Sequence, residues 1–382
     1  MHDGLLNAHA GSAAYAFRGY NVTNLGRTPE LLACPPYRAI VERCLRQAGE
    51  ACSEATGQRV DLVNRVVRRE EADLPHYAEA VAIVFAAELA QIELLREAHG
   101  VDFRDGKLAL GYSLGELAAL ACAGAASPET VLSIPLAMAA DCASLAGGSE
   151  MGVVFSRGEA LDENAVGLLC EEVTADGAGT VAISAVLSPN TLLVIGQGQT
   201  IAALKGRLRD RFARRVNLRL NDSSWPPLHT PIVRQKHVPD RASLMIERLK
   251  LCDTQLRPRI VSLVTGQTAY HDGRTRQLLR DWVDHPQRLW DGVRCVLSSG
   301  AGVLVHVGPE PNLIPATFRR LAENVRQQTS AWSLSGMGMR AIERATRRPW
   351  LGAMLPVSTS LLRAPNLKHV VLEDWLLEHA PG

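Results

Sequence analysis

The sequence is poor in several features that mark particular classes of protein. Aromatic residues make up only 5% of the 382 residues, so we expect no stacking platform for single-stranded nucleic acid. The 41 lysines and arginines are balanced by 40 acidic residues, which argues against a nucleic-acid binder held by phosphate contacts. Hydrophobic residues make up 47% and charged residues 21%, which is typical of a globular chain with a full core.

Cysteine patterns and long uncharged runs are also lacking. The eight cysteines are scattered, with no CxxC pair and no Cys/His cluster at metal-ligand spacing. This pattern predicts reduced thiols and no metal site. No basic start followed by an apolar run opens the sequence, and the most apolar stretches, 77–95 and 117–148, both contain acidic residues. We therefore expect no signal peptide, no membrane span and a cytoplasmic protein.

Helical and strand-like patterns alternate along the chain. An Ala- and Leu-rich pattern predicts a long helix at 78–98. Later runs of alternating apolar residues predict short strands at 151–155, 181–186 and 191–196. Several short strands and two helices within a short stretch are typical of a small α+β unit.

These patterns predict an α/β fold with two domains and a tail. Residues 1–148 and 220–330 are expected to form a large α/β domain with a parallel sheet. Residues 149–219 are expected to form a smaller α+β subdomain inserted into the large one. We expect residues 331–382, which are punctuated by proline, to form a C-terminal tail packed on the large domain.

A candidate nucleophile lies where an apolar strand pattern meets a helical one, in the segment Gly111-Tyr112-Ser113-Leu114-Gly115. A Gly-x-Ser-x-Gly pattern is weak by itself, but a strand, a turn and a helix are the context of a nucleophile elbow. Such a turn exposes the serine hydroxyl, and the amides at the helix start can stabilise an oxyanion. We therefore predict Ser113 as the nucleophile.

A serine nucleophile needs a base, and two of the eleven histidines are candidates. His229, in WPPLHTP, follows a proline-rich loop that can hold a base still, so we predict it as the base. His306, in VLVHVGP at the end of a predicted strand, is the main rival. An α/β-hydrolase with His306 as base would need an acidic third member before it, and no candidate stands out.

Several motifs, in order, resemble one family. GYSLGELAALACAGAAS, HTP and HVGPEPNL follow one another as in the malonyl-CoA:acyl-carrier-protein transacylases and polyketide acyltransferase domains. The resemblance runs from about residue 14 to residue 325. It implies a large α/β-hydrolase-like domain with a parallel sheet, a ferredoxin-like inserted subdomain at 149–219, and a monomer.

The same resemblance implies an acyltransferase with a Ser-His dyad. Ser113 would attack an acyl thioester of coenzyme A or of an acyl carrier protein, with His229 as general base. The phosphopantetheine thiol of an acyl carrier protein would then accept the acyl group, as in polyketide or fatty-acid biosynthesis. No bound cofactor is implied, because the phosphopantetheine arrives with the substrate.

Backbone groups complete the site that the resemblance implies. The amides of Leu114 and Tyr20 would form the oxyanion hole; Tyr20 lies in FRGYN, where the family has a Phe-Pro-Gly-Gln-Gly turn. The backbone carbonyl of Arg288, in HPQRL, would orient His229.

The departures from the family concern the acyl pocket. Met138 stands where members that use malonyl groups carry an arginine for the substrate carboxylate, and no Lys or Arg occurs from 108 to 156. A buried carboxylate without a cation is costly. Tyr112, Leu187 and Leu228 further predict an apolar pocket, hence a non-carboxylated acyl group: acetyl, fatty, aryl or a carrier-bound intermediate. The open alternative is an arginine that enters the site from elsewhere in the chain.

Basic residues predict where a carrier protein would dock. Segment 205–219 carries seven basic residues and one acidic residue. Carrier proteins are acidic around their prosthetic serine, so a basic surface near the site would steer them. The predicted contacts are Arg214, Arg215, Arg319 and Arg320.

Two other functions stay open. An acyl-thioester hydrolase that clears stalled acyl groups from carrier proteins would use the same dyad and differ only in how water reaches the acyl-serine. A non-enzymatic relative kept as a component of a complex is the other, because the FRGYN turn is altered. The intact pair of Ser113 and His229 argues against this last reading.

Overall fold

The computed structural model describes residue 6 and residues 10–212, 215–252, 255–270, 273–330 and 357–382. These residues form ten strands and thirteen α-helices, with five short 3-10 helices between them. The strands are β1 Ala13–Phe17, β2 Leu108–Gly111, β3 Ser149–Ser156, β4 Val181–Ser188, β5 Thr191–Gln197, β6 Val216–Asn221, β7 Arg259–Ser262, β8 Gln267–Thr268, β9 Val303–Val307 and β10 Lys368–Val371. The helices are α1 Thr28–Ala33, α2 Pro35–Thr56, α3 Leu62–Val67, α4 Tyr77–His99, α5 Leu114–Cys122, α6 Pro128–Ala146, α7 Glu163–Ala175, α8 Thr200–Arg211, α9 Val238–Glu247, α10 Thr275–Asp284, α11 Leu289–Ser298, α12 Leu313–Ser330 and α13 Leu372–Glu378.

The larger sheet has six strands in the order β10-β9-β1-β2-β7-β8. All neighbouring pairs are parallel except β7 with β8. Ala16 of β1 lies beside His306 of β9, and Phe17 lies beside Gly111 of β2. The two faces of the central strands pack in separate hydrophobic clusters, as expected for a parallel sheet covered on both sides. The predicted α/β fold is confirmed.

A second sheet forms the smaller subdomain. Its four antiparallel strands have the order β4-β5-β3-β6, and α7 and α8 pack against them around a core of their own. The sequence of elements, β-α-β-β-α-β, is that of a ferredoxin-like unit. The predicted inserted α+β subdomain is therefore present.

The end of the chain is built into the larger sheet. Strand β10 pairs in parallel with β9, and Leu372 and Trp375 of α13 are buried in the core of the large domain. Half of the predicted tail, residues 331–356, lies outside the described residues. The exact domain boundaries therefore stay a prediction.

Among the described residues, one helix, α6 (Pro128–Ala146), is long and apolar enough to cross a bilayer. In the structure 56% of its most apolar window is buried against the rest of the molecule, chiefly against α9, α4 and α2. Such burial is what a core helix of a folded domain shows.

Candidate active site

The nucleophile elbow owes its shape to two glycines. Ser113 joins β2 to α5 with a φ of 54°, in the left-handed region that residues other than glycine rarely adopt. A Cβ on Gly111 would lie 2.0 Å from the carbonyl carbon of Gly115, and one on Gly115 would lie 2.3 Å from the carbonyl oxygen of Arg18. Both positions therefore exclude any side chain, and the strained turn presents the Ser113 hydroxyl at the end of the sheet.

His229 is hydrogen-bonded to this hydroxyl. The distance between His229 Nε2 and Ser113 Oγ is 2.7 Å, and the distance between His229 Nδ1 and the carbonyl oxygen of Trp282 is also 2.7 Å. Because a carbonyl can only accept, Nδ1 carries the proton and Nε2 is free to accept the hydroxyl proton of Ser113. The predicted pairing of Ser113 with His229 is thus present with the tautomer that a general base requires.

The carbonyl that orients His229 is that of Trp282, and the prediction of Arg288 is corrected. Trp282 lies near the C-terminal end of α10, where helix carbonyls lack partners within the helix. The next carbonyl, of Val283, accepts the backbone N–H of His229. Arg288 instead is the N-cap residue immediately before α11, where its carbonyl accepts from Gly292 and its guanidinium pairs with acidic side chains.

Trp282 contacts both members of the dyad. Its indole Nε1 donates to the carbonyl oxygen of Ser113 at 3.1 Å, and its ring meets the imidazole of His229 edge to face. One buried residue therefore fixes the base and the nucleophile relative to each other. Its role could not be predicted from the sequence, because nothing local in DWVDHPQ indicates a contact with residues so far away in the chain.

Burial sets the protonation of His229. The side chain is 4% exposed, and desolvation lowers its pKa to about 4, against the opposing effects of the Trp282 carbonyl and the charge of Asp284. The imidazole is therefore neutral at physiological pH, as a base must be.

The loop that follows β1 lies against the elbow. A Cβ on Gly19 would lie 2.6 Å from the carbonyl oxygen of Tyr112, so only glycine allows this approach. Within the described part of the chain, neither the amide of Tyr20 nor that of Leu114 donates a hydrogen bond. Both amides are thus available for an oxyanion, and their role stays a prediction.

Gln287 links the elbow to the smaller subdomain. Its side-chain Oε1 accepts from the backbone N–H of Ser113 at 3.3 Å. Its backbone exchanges hydrogen bonds with β4, donating to Ser184 and accepting from Val186. The residue is fully buried, so it holds the subdomain and the nucleophile in register.

A cavity of about 320 Å³ opens between the two domains at the dyad. Ser113 and His229 line it, together with three predicted pocket residues, Tyr112, Leu187 and Leu228. Met138 does not: it is 1% exposed and packs in the core of the large domain, so its assignment to the pocket is corrected. The cavity is also lined by aromatic and aliphatic side chains that the sequence does not predict for it, namely Tyr77, Trp225, Met151, Val153, Leu193 and Ile195.

Arg18 is the arginine that lines this cavity. It is 4% exposed, and burial lowers its pKa while the negative charge of Glu88 opposes the shift. Its guanidinium already donates to four acceptors of the surrounding loops: Gly19 O, Thr23 O, Asn24 Oδ1 and Pro309 O. The side chain therefore ties two loops together and has little donor capacity left for a ligand.

His306, the rival base, lines the same cavity but has a different partner. Its Nε2 lies 2.9 Å from Nδ1 of His369, a residue of β10. Burial lowers the pKa of His306 to about 3 and that of His369 to about 4, so both rings are neutral at physiological pH.

The predicted carrier contacts fall at different distances from the cavity. Arg319 and Arg320 are exposed on α12, whose first residues line the cavity. Arg215 is exposed, lies 3.7 Å from Glu159, and precedes β6 at the end away from the cavity. Arg214 lies outside the described residues. Within the described part of the chain, no group of three or more His, Cys, Asp or Glu side chains could hold a metal ion.

A strained serine, a buried histidine with a fixed tautomer and a cavity beside them are the parts of a Ser-His centre for nucleophilic catalysis. Such a centre can form a covalent serine ester with a substrate that fits the cavity.

The chain is similar in sequence to polyketide synthases. Polyketide synthase GfsA of Streptomyces halstedii is 27% identical over 230 residues, which are 59% of this chain and 3% of that protein. Mycoketide-CoA synthase of Mycobacterium tuberculosis is 28% identical over 242 residues, 63% of this chain and 5% of that protein. The chain thus spans only a small part of the curated relatives that it matches. No protein-family model matches it.

Solved transacylases share the fold. The malonyl-CoA:acyl carrier protein transacylase FabD of Xanthomonas oryzae has a TM-score of 0.62 at 21% identity, over 81% of this chain and 91% of that one. The complex of PlMCAT, a malonyl-transacylase, with the type II polyketide synthase acyl carrier protein AntF has a TM-score of 0.63 at 22% identity, over 81% and 92% of the two chains. Together the comparisons confirm the resemblance that the motifs indicated.

Proposed function

We propose that this chain is an acyltransferase that passes an acyl group from a thioester, through Ser113, to the phosphopantetheine thiol of an acyl carrier protein. The observation that carries the proposal is the hydrogen bond from Ser113 Oγ to His229 Nε2, at 2.7 Å, with Nδ1 held by Trp282. The fold of malonyl-CoA:acyl-carrier-protein transacylases and the similarity to polyketide synthases support it. The phosphopantetheine belongs to the substrate, so the chain itself needs no bound cofactor.

The geometry supports a two-step transfer. As Ser113 Oγ attacks the thioester carbonyl, His229 Nε2 takes the hydroxyl proton, and the thiolate then leaves with that proton to give an acyl-serine. In the second step His229 takes the proton of the acceptor thiol, whose sulfur attacks the ester carbonyl; the ester bond breaks, and the leaving Ser113 Oγ takes that proton back from His229. The carbonyl of Trp282, at the negative end of α10, stabilises the imidazolium formed in each step.

The transferred acyl group is proposed to be uncharged. Apart from Arg18, no Lys or Arg among the described residues lines the cavity. Arg18 is already bound to loop carbonyls and balanced by nearby acidic groups. A malonyl carboxylate would therefore lose its hydration without gaining a free cationic partner.

An acyl carrier protein is the proposed partner, docking at the exposed arginines of α12. A PlMCAT–AntF complex exists for a chain of this fold. Arg320 lies six residues after Ile314, which lines the cavity, so it is about 9 Å along the helix from that residue. A basic surface at that distance would attract the acidic face of a carrier protein.

Intact-protein mass spectrometry after mixing with malonyl, acetyl, octanoyl and benzoyl thioesters tests the proposal. We expect an adduct with one or more uncharged groups, none with Ser113→Ala, and malonyl loading slower by about 100-fold or more. Adding holo-carrier protein should move the acyl group onto its thiol.

Three results would overturn parts of the proposal. Efficient malonyl loading that Arg18→Gln abolishes would make Arg18 the carboxylate ligand. An adduct that decays to free acid at the same rate with and without holo-carrier would indicate the hydrolase. No adduct with any thioester or acyl-carrier donor would contradict the acyltransferase.

A further inference from the structure

The few aromatic residues of the chain are concentrated at one cavity. The sequence has six tryptophans, six tyrosines and six phenylalanines among its 382 residues. Three of the tyrosines and one of the tryptophans line the cavity at the dyad, namely Tyr20, Tyr77, Tyr112 and Trp225. The proposed transfer assigns no role to these rings, so their presence indicates what kind of acyl group the cavity holds.

Three of these rings contact one another edge to face. The ring centroids of Tyr20 and Tyr77 are 4.8 Å apart with their planes at 86°, and those of Tyr20 and Trp225 are 5.9 Å apart with their planes at 80°. The three residues come from the loop after β1, the start of α4 and the loop between β6 and His229. Tyr20 and Trp225 are only half-buried, so this aromatic wall, formed by Tyr20, Tyr77 and Trp225, keeps surface that a ligand in the cavity can contact.

The aromatic wall begins beside the nucleophile. Tyr20 directly follows Gly19, and a Cβ on Gly19 would lie 3.4 Å from the Cβ of Ser113. Trp225 precedes His229 by four residues, and both members of the dyad line the cavity together with the wall. An acyl group on Ser113 Oγ would therefore extend into a space that starts at the loop carrying Tyr20.

The smaller subdomain contributes a second apolar surface to the cavity. Met151 and Val153 of β3 are paired with Ile195 and Leu193 of β5. Because directly opposed residues of an antiparallel pair project to the same face, the four side chains form one surface, the aliphatic wall. All four line the cavity, and none carries a charge.

A flat ring suits a space between these two walls. Aromatic rings that meet edge to face gain binding free energy beyond that of burying the same area. A ring also has no internal rotations to lose, whereas a straight alkyl chain is immobilised at a cost in conformational entropy. An alkyl group would gain only burial from the aromatic wall, and an aryl group would gain burial and the ring contacts.

We propose that the acyl group carried by Ser113 contains an aromatic ring, bound between the aromatic wall and the aliphatic wall. This inference rests on the proposed function and narrows its substrate class to arylacyl groups. Tyr20 and Trp225 act as specificity-determining residues, and their side chains take no part in proton transfer.

The test compares three N-acetylcysteamine thioesters whose acyl groups each have eight carbons: phenylacetyl, cyclohexylacetyl and octanoyl. The rate of acyl-Ser113 formation is measured by intact mass and divided by the rate at which the same thioester reacts with hydroxylamine in buffer, which removes differences in intrinsic reactivity. The wild-type chain should favour phenylacetyl over cyclohexylacetyl by about fivefold, the effect of the ring contacts, and over octanoyl by at least as much.

Variants assign the preference to the aromatic wall. Trp225→Leu and Tyr20→Leu should each bring the ratio of phenylacetyl to cyclohexylacetyl rates closer to one, whereas Trp225→Phe, which keeps a ring, should retain most of it. Trp290→Leu, outside the cavity lining, is the matched control and should keep the wild-type ratio. Because the ratio is taken within each variant, a general loss of stability does not imitate the result. A wild-type ratio of one or less, or an unchanged ratio in both leucine variants of the wall, would overturn the inference.

Binding separates this inference from the proposed function. If no thioester acylates the wild-type chain, the acyltransferase proposal fails. Calorimetric binding of the phenylacetyl and cyclohexylacetyl thioesters to Ser113→Ala then tests the aromatic wall alone. About fivefold tighter binding of the phenylacetyl compound would support the aryl subsite, and equal affinities would contradict it.

Discussion

Two histidines face one cavity, and they differ in what holds them. His229 lies in a turn with a φ of 64°, bonded to a helix-end carbonyl on one side and to the Ser113 hydroxyl on the other. His306 lies on a regular strand, and its side chain is hydrogen-bonded to a second histidine and to no other described residue. Both are buried and both have a lowered pKa.

Burial and a lowered pKa therefore do not by themselves distinguish a catalytic base from another buried histidine. The distinction comes from the partners: a carbonyl fixes the tautomer of His229, and a nucleophile lies within hydrogen-bond distance of its free nitrogen. His306 has neither: the hydrogen-bond partner of its ring among the described residues is His369.

The largest expected difference between the two histidines is in the rate of acyl-serine formation. His229→Ala removes the base, so we expect a loss of about 1,000-fold or more. His306→Ala should lower the rate of acyl-serine formation from an octanoyl thioester by at most about tenfold. Single-turnover mass spectrometry measures both. Similar losses of rate in the two variants would contradict the assignment of His229, and not His306, as the base.

The pH dependence should follow His229. Its pKa is lowered to about 4, so the neutral base persists until the pH falls to that value. The rate of acylation should be flat from about pH 5 to 8 and fall about tenfold per unit below pH 4. A pH profile measured over this range, for the wild-type chain and for His306→Leu, should give the same midpoint. A midpoint near 6.5 would contradict the role of burial.

Trp282→Phe tests the contact that joins base and nucleophile. The change removes the indole N–H that donates to Ser113 at 3.1 Å but keeps the backbone carbonyl that orients His229. We expect kcat to fall about fivefold with little change in KM. Trp290→Phe, in the following helix, is the matched control. A change in KM alone would indicate a packing role.

The smallest effect concerns the partner surface. Arg320→Glu, on the helix whose first residues line the cavity, should raise the KM for a carrier protein about threefold at low salt, and high salt should remove the difference. Arg215→Glu, next to the end of β6 that lies away from the cavity, should raise this KM by a smaller factor. Arg46→Glu, on α2, which contributes no cavity residue, is the control of equal charge change. Equal effects of all three would contradict a docking site on α12.

Local sequence was sufficient for the elbow but not for its partners. The steric demand on Gly111 comes from Gly115 and Glu116, a few residues away, and the motif with its flanking patterns predicted the turn; the demand on Gly115 comes from the end of β1, at Phe17 and Arg18. The choice between His229 and His306 depends on contacts across more than a hundred residues of chain. The sequence predicts that the carbonyl of Arg288 accepts a hydrogen bond from His229. In the structure the carbonyl of Trp282 does so, because the C-terminal end of α10 contacts His229.

The pocket shows a second limit of sequence reasoning. The number of residues that separate Met138 from Ser113 does not tell which face of its helix Met138 occupies. In the structure the Met138 side chain is buried in the core of the large domain. Conversely, Arg18 occupies the altered turn after β1, and only the folded loops reveal that it lines the cavity with its donors engaged. Met138 was placed in the pocket and Arg18 was not, because the direction of a side chain depends on tertiary packing that the sequence does not show.

The central claim is that Ser113, activated by His229, carries the acyl group. Peptide mapping after treatment with an octanoyl thioester tests it most directly. We expect octanoylation of the peptide that contains Ser113 in the wild-type chain and in Trp282→Phe, and none in Ser113→Ala. An adduct that persists in Ser113→Ala, or that maps to another residue in the wild-type chain, would contradict it.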